Sequence, residues 1–365
     1  NKKVHLTISM EFKEELEKEL QENHPHSQAG DNNYESPNEE DEEDHGFSRV
    51  ITPFMDIEGR HENEVFCVRY SHDSQWLAAG CGDGVVRVYN AQGRPVYTLT
   101  PNGSQKLPVT CLRWRPLIGR SSTRNILIAS NADGTFTHWH VTSQKPLGTV
   151  MEEDNQIYAM DYRPDAELFV TAGRDYKIRI YNDETKQCVT EMSQGISNLT
   201  PGHSNRIFAA KFNPDDPNVL ISGGWDNTVF LWDVRTGTAI RSIFGPHIAG
   251  DSIDLMDDTI LTASWRPEKP VELWDYGTGK LIRTVYYLTA PMMYSAQFHP
   301  SGDCIAVGGT GTNEAKIFDA RNAFKSLGRV RLIREKGVYS LDFAPNGSRM
   351  AIAGATDNIR VLMVK

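Results

Sequence analysis

Two short stretches carry residue types whose spacing suggests chemistry. Gly80-Cys81-Gly82-Asp83-Gly84 has the glycine density of a loop that cradles phosphate, and His138 and His140 share one face of an alternating run, as two imidazole ligands of a metal would. Neither pattern is complete. Phosphate loops aim their N–H groups from the start of a following helix. The residues after Gly84, Val-Val-Arg-Val-Tyr, alternate as a strand does, so Asp83-Gly84 reads as a hairpin turn. Structural zinc takes four ligands, and no third lies near the two histidines in sequence. No G-x-S-x-G, H-E-x-x-H, Walker-type or paired-cysteine signature appears, and no nucleophile stands at a recognisable spacing from a base. The expectation is a protein with no catalytic residue, metal or cofactor. An active site assembled in a central channel from distant loops is the enzymatic alternative.

The elements that carry these residues belong to a 365-residue chain with 38 basic and 48 acidic side chains. The net charge of −10 is local: between Lys18 and Arg49 there are ten acids and no base, and the rest balances at 38 against 38. The expected organisation is an N-terminal segment, residues 1–22, an acidic disordered linker, 23–46, and one domain, 47–365. Phe12, Leu16 and Leu20 give residues 10–20 a narrow apolar stripe, Ser9 can cap that helix, and the linker is too polar to fold alone. Residues 49–365 hold 34 bases and 34 acids with no basic stripe, which disfavours nucleic acid. No apolar run approaches the roughly 18 residues of a membrane span, so no membrane insertion is expected. The five cysteines are odd in number and form no C-x-x-C pair, which fits a reducing, cytoplasmic setting. The chain begins at Asn1 without a methionine, and no signal or transit pattern is visible.

Seven copies of one phrase organise the domain: an apolar pair, an aromatic, a Pro-Asp-type turn, an apolar quartet, an Asp turn, and an alternating strand that usually ends in an aromatic plus Asp or Asn. The phrase ends at Asn90, His140, Asn182, Asp233, Asp275, Asp319 and Met363, spaced by 50, 42, 51, 42, 44 and 44 residues. That period, with β-branched and aromatic runs broken by Gly, Asn, Asp and Pro, is the spacing of propeller blades. Fourth strands read Pro95–Thr100, Pro146–Met151, Gln187–Met192, Ala239–Phe244, Lys280–Tyr287 and Arg329–Arg334. The seventh unit has no room for one. Arg49–Met55 has the right pattern to fill that edge beside Ile359–Met363 and to protect it from aggregation.

At this point the chain resembles the WD-repeat β-propeller family, over about residues 47–365. The fourth unit carries the motif most fully, with Gly202-His203, Ser222, Asp226 and Trp232-Asp233. The resemblance implies an all-β, seven-bladed propeller of four-stranded antiparallel blades. It also implies that His203, Ser222, Asp226 and Trp232 form a structural hydrogen-bonded tetrad. The fifth unit departs most: its Asp turn becomes Trp265-Arg266-Pro267-Glu268, and Pro246 interrupts the Gly-His pair at Gly245-Pro246-His247.

The resemblance further places one position per blade near the upper mouth of the channel, where partner peptides dock: Phe66, Thr110, Tyr158, Phe208, Asp251, Tyr294 and Tyr339. Exposed aromatics there give contact area at low entropic cost. Arg206, or an unpaired Asp251, would select charge. The implied function is a non-enzymatic scaffold that binds proteins or peptides, monomeric within a larger assembly, with a cytoskeletal or ciliary setting suggested by family association. Trp232-Asp233-Val234-Arg235 resembles the Trp-Asp-x-Arg motif of substrate receptors on cullin–RING ubiquitin ligases, echoed by Phe318-Asp319-Ala320-Arg321; the alternative is an Arg235 that pairs with its own Asp233.

Overall fold

The computed structural model describes residues 51–59, 63–101, 107–117, 125–195, 201–287, 291–332 and 336–365. The expected helix at 10–20 and acidic linker at 23–46 lie outside the described residues. Within them the chain forms seven four-stranded antiparallel sheets. Each sheet is one blade, and its innermost strand packs against the innermost strands of both neighbours, blade 7 against blade 1 included.

Side-chain pattern explains the layering. The first strand of blade 1, Val65–Tyr70, is buried except at the half-buried Phe66 and Arg69, and the second, Trp76–Cys81, is buried at all but its first residue. The fourth strand, Pro95–Leu99, buries only its last residue. Three strands per blade are thus covered on both faces, and the fourth forms the rim. Close approach sets some residue types: a Cβ on Gly80 would lie 2.6 Å from Val109 of blade 2, and one on Gly308 2.7 Å from Val338 of blade 7.

The last sheet is completed from the start of the chain, as its missing strand requires. Ile51–Ile57 pairs antiparallel with Ile359–Val364, from Ile51 opposite Val364 to Ile57 opposite Ile359. Ile51 and Ile57 are 1% and 6% exposed and enter the seams with blades 6 and 1. Pro53, which has no N–H to give, is tolerated because this is an edge strand, and a register shift follows it. Arg360 grips Asp56 through two nitrogens at 2.7 and 3.0 Å, and the Arg349 guanidinium lies 4.5 Å from the ring of the exposed Phe54. The fourth strand of blade 6 differs from expectation. It spans Lys325–Arg331, starting four residues before and ending three before the expected Arg329–Arg334, because the chain turns directly after Asp319 through Ala323 and Phe324, both at positive φ.

Ring closure through Ile51–Ile57 makes a stability prediction. Replacing both Ile51 and Ile57 by Ala should cost about 4 kcal/mol or more, since each buried Ile→Ala change costs about 2–5 kcal/mol and the two lie in different seams. Urea unfolding reads this directly. A loss below about 1 kcal/mol would mean that the strand does not clasp the ring.

Candidate functional site

The mouth residues owe their orientation to an irregularity repeated around the ring. In six blades one residue near the start of the innermost strand, the second in five blades and the third in blade 6, is skipped by the pairing register: Phe66, Thr110, Tyr158, Phe208, Tyr294 and Tyr339 each sit at a β-bulge. A bulge adds one unpaired residue and re-aims its side chain. Blade 5 has no such shift; its inner strand, Ile253–Met256, is the shortest, and Asp251 lies ahead of it.

Five of these positions join a continuous arc of rings. Tyr158 stacks on Phe208 at 4.7 Å between centroids, Phe208 meets Trp225 at 5.0 Å, Trp225 meets His247 at 6.1 Å, and His247 meets Trp265 at 6.3 Å. Trp265 then reaches Tyr294 at 6.4 Å, Tyr294 meets Tyr339 edge-on at 5.6 Å, and Tyr339 stacks on Phe66 at 5.8 Å. The arc runs from blade 3 through blades 4 to 7 and into blade 1. Blade 2 interrupts it with Thr110, whose hydroxyl is 2.8 Å from Ser130 Oγ. Phe66, Tyr158, Tyr294 and Tyr339 are half-buried, but Phe208 is only 4% exposed and works as the floor beneath Tyr158 and Trp225. Arg206 is half-buried, with its guanidinium 5.1 Å from the Trp225 ring centroid.

Sequence reasoning missed Trp225, His247 and Trp265. A signal for the two tryptophans existed. Each lies three residues after the hydroxyl that accepts from its blade's third-strand indole: Trp232 Nε1 donates to Ser222 at 2.8 Å, and Trp274 Nε1 to Thr262 at 3.0 Å. His247 does not enter a tetrad in blade 5. Pro246 displaces it, so its Nδ1–H donates to Asn227 Oδ1 at 2.8 Å and its ring joins the arc. Burial, then the nearby Arg266 charge, push its pKa down to about 4.

Three residues deeper, each inner strand places one polar side chain in a belt around the channel: Arg69, Arg113, Asp161, Lys211, Asp254, Gln297 and Asp342. Four of them clamp the next blade by accepting its main-chain N–H. Asp161 takes Phe212 N at 2.9 Å, Asp254 takes Phe298 N at 2.8 Å, Gln297 takes Phe343 N at 2.8 Å, and Asp342 takes Tyr70 N at 2.6 Å. Lys211 pairs with Asp254 at 2.7 Å and Arg113 with Asp161 at 3.3 Å.

Asp251 is not an unpaired mouth charge. From blade 5 it reaches across the axis to Arg69 of blade 1 and to Arg113 of blade 2, the latter at 2.8 Å. Two neighbouring guanidiniums, each 11% exposed, demand a counter-charge, and the channel is narrow enough for the opposite blade to supply it. The cavity beside this clamp measures about 270 Å³. Its carboxylates are engaged, and the nearby Cys67 thiol is pushed far above its ordinary range by burial, so neither supplies a ready base or nucleophile.

In blade 4, Trp232 Nε1 donates to Ser222 Oγ, Ser222 lies 2.7 Å from His203 Nε2, and His203 Nδ1 donates to Asp226 at 2.8 Å. Blade 3 builds its own version around the buried Glu152. That carboxylate accepts from Thr171 at 2.5 Å, Tyr181 at 3.0 Å, Asn155 at 2.6 Å and Arg179 at 3.1 Å. His138 and His140 do not converge: His138 donates to Asp183 at 3.0 Å, and His140 bonds to Ser143 at 2.7 Å. Among the described residues no three His, Cys, Asp or Glu side chains group as metal ligands would. Arg235 folds onto its own Asp233, at 2.8 and 3.1 Å, and Arg321 leans towards Asp303 and Asp319.

Two predictions follow from the channel and the arc. Asp251→Ala should destabilise the protein by about 3 kcal/mol, because it leaves two buried guanidiniums without their shared counter-ion; an unchanged urea midpoint would deny the clamp any weight. His247, neutral in the fold, contributes stability that is full above pH 6.5. That stability is lost as pH falls from 6.5 towards 4, by up to about 1.4 kcal/mol per pH unit before solvent screening. His247→Phe should flatten that part of the stability–pH curve, and parallel curves for the two proteins would contradict the assignment.

The model of the WD domain, G-beta repeat, matches residues 55–90, 144–182 and 195–233. Protein transport protein SEC31 of Saccharomyces cerevisiae is 24% identical over 64% of this chain, which spans a fifth (20%) of that protein. A ribosome biogenesis protein WDR12 homolog of Drosophila mojavensis is 22% identical over 82% of the chain and 72% of its own length. The guanine nucleotide-binding protein subunit beta of Zea mays is 22% identical over 65% of the chain and 64% of its own. With seven blades, a closing N-terminal strand and the blade 4 tetrad motif beside the three matched repeats, the chain has the fold of a WD-repeat β-propeller and is similar to that family.

Proposed function

We propose that the chain is a non-enzymatic scaffold that holds segments of partner proteins at its channel mouth. The aromatic arc carries this reading. Phe66, Tyr158, Tyr294 and Tyr339 keep part of their rings accessible on a backbone fixed by the belt below, which offers large contact area without a further ordering cost. The similarity to a G-protein subunit, a transport protein and a ribosome biogenesis protein supports work within a multi-protein assembly, with this chain as one monomeric propeller in it. A reducing, intracellular setting is proposed from the five unpaired cysteines. No observation favours a cytoskeletal or ciliary setting over the others. Ligase docking draws little support, since the guanidinium of Arg235 is already held by Asp233.

Crosslinking mass spectrometry in native cells tests the reading. Wild type is compared with a Phe66, Tyr158, Tyr294 and Tyr339 to Ala variant of confirmed fold; Phe208 is kept because its removal would cut into the core. The expected result is loss of one defined set of neighbours, since each anchor is worth about 1–2 kcal/mol or more in a docked interface. An unchanged set would assign the arc to packing and move the binding surface to the blade edges.

A further inference from the structure

The outer rim carries an irregularity of its own. In every blade one residue of the outermost strand is skipped by the pairing register, and each time that residue is apolar: Phe54, Val96, Leu147, Val189, Ile240, Ile282 and Leu327. Such a bulge bends an edge strand away from pairing with another chain, so edge protection accounts for this ring of side chains. Blades 4 and 5 carry more than that. Phe244 ends the outermost strand of blade 4, Thr238–Phe244, and Tyr286 follows that of blade 5, Leu281–Val285. At 77% and 63% exposed they are the two least covered large apolar side chains among the described residues, and Leu281 is exposed beside the bulged Ile282.

Charge singles out the same sector. Residues 276–287 and 320–332, the last turns and outermost strands of blades 5 and 6, hold six bases and no acid, and the outermost strand of blade 4 adds Arg241. The equivalent stretch of blade 3, residues 183–192, holds three acids and one base. The three basic strands lie side by side. Arg241 donates to Tyr276 O in the blade 5 turn, and the Arg283 guanidinium of blade 5 lies 5.9 Å from the centroid of the Phe324 ring in blade 6. Arg321 leans on Asp303 and Asp319, and Arg331 on Glu314. Lys280, Arg283 and Lys325 are exposed and form no ion pair with a described residue.

From this we infer that the outer rim of blades 4 to 6 is a docking surface for an anionic lipid bilayer, where Lys280, Arg283 and Lys325 meet the headgroups and Phe244, Ile282 and Tyr286 enter the interface. An anionic leaflet supplies the negative field that matches a strip of bases with no acid among them. A protein partner matches less well, because lysine is depleted from the centres of protein interfaces. At a bilayer the stems of Lys and Arg lie along apolar surface while their charges stay with the headgroups, and aromatic rings settle at headgroup depth. The attachment lies on the membrane surface and spans nothing. It does not depend on the protein-binding reading of the mouth, which the innermost strands line.

Cosedimentation of the full chain with vesicles is the test. Phosphatidylcholine vesicles that contain phosphatidylserine should bind at least about tenfold more tightly than pure phosphatidylcholine, since each base at an anionic leaflet is worth roughly fivefold. High salt should release the protein. Lys280→Glu with Lys325→Glu should cost about tenfold or more, and Phe244→Ser with Tyr286→Ser should also weaken binding; all four side chains are exposed, so the fold is kept. Arg94→Glu with Lys145→Glu makes the same change of charge on the exposed rim of blades 1 and 2 and should leave binding nearly unchanged. Equal binding to both vesicle types, an equal loss from the blade 1 and 2 substitutions, or wild-type binding by Phe244→Ser with Tyr286→Ser would overturn the surface. So would a chain that binds no vesicle. If a glutamate-rich peptide then bound wild type and not Lys280→Glu with Lys325→Glu, the strip would be a protein-docking surface instead.

Discussion

The ring stands because the first described strand completes the last sheet. Six blades draw all four strands from consecutive sequence; the seventh draws three and borrows Ile51–Ile57. Without that loan Ile359–Val364 would be an open edge, and blade 7 would lose the isoleucines that fill the seams on both of its sides. A propeller has no core apart from its seams, so one loose seam relaxes the angle between all blades. The fixed spacing of mouth residues and belt depends on that closure.

Closure explains why the belt can be so polar. Seven inner strands converge on an axis where their side chains would meet like charges at short range. The chain answers with four acceptors that tie one blade to the next and with cations that neutralise them. Asp251 adds the one described contact made straight across the axis, from blade 5 to blades 1 and 2. Breaking such a pair is far more costly than never having built it. The clamp therefore acts more as a constraint on blade positions than as a source of net stability.

The architecture was legible because its signal is periodic. Phrase endings, the missing fourth strand and the pattern of Arg49–Met55 all follow from local residue types, and the described closing strand, Ile51–Ile57, overlaps that stretch. The mouth was legible in part. Counting along the first strand finds Phe66, Tyr158, Phe208, Tyr294 and Tyr339, whereas Trp225 and Trp265 required the second strand to be aligned on Ser222 and Thr262. Glu152 stands in for a histidine at a different offset, six residues before Tyr158 where His203 is five before Phe208, so no single motif captures both. The Asp251 clamp was beyond reach, because Arg113 lies 138 residues away and only the diameter of the finished ring brings the two together.

Blade 5 then takes on a particular meaning. Its departures from the repeat are not scattered: the shortened inner strand, the Asp in place of a bulged aromatic, the displaced His247 and the Trp265-Arg266 turn all fall on the mouth side. Five of the other blades keep an Asp in that turn, at Asp83, Asp133, Asp175, Asp226 and Asp357. This blade instead gives up the tetrad, leaves buried donors unpaired and commits its carboxylates elsewhere. Violations of local rules are expected to gather where a structure does something other than hold itself together. Here they gather around one sector of one rim, the sector in which Trp225, His247 and Trp265 carry the arc of rings from blade 4 into blade 5.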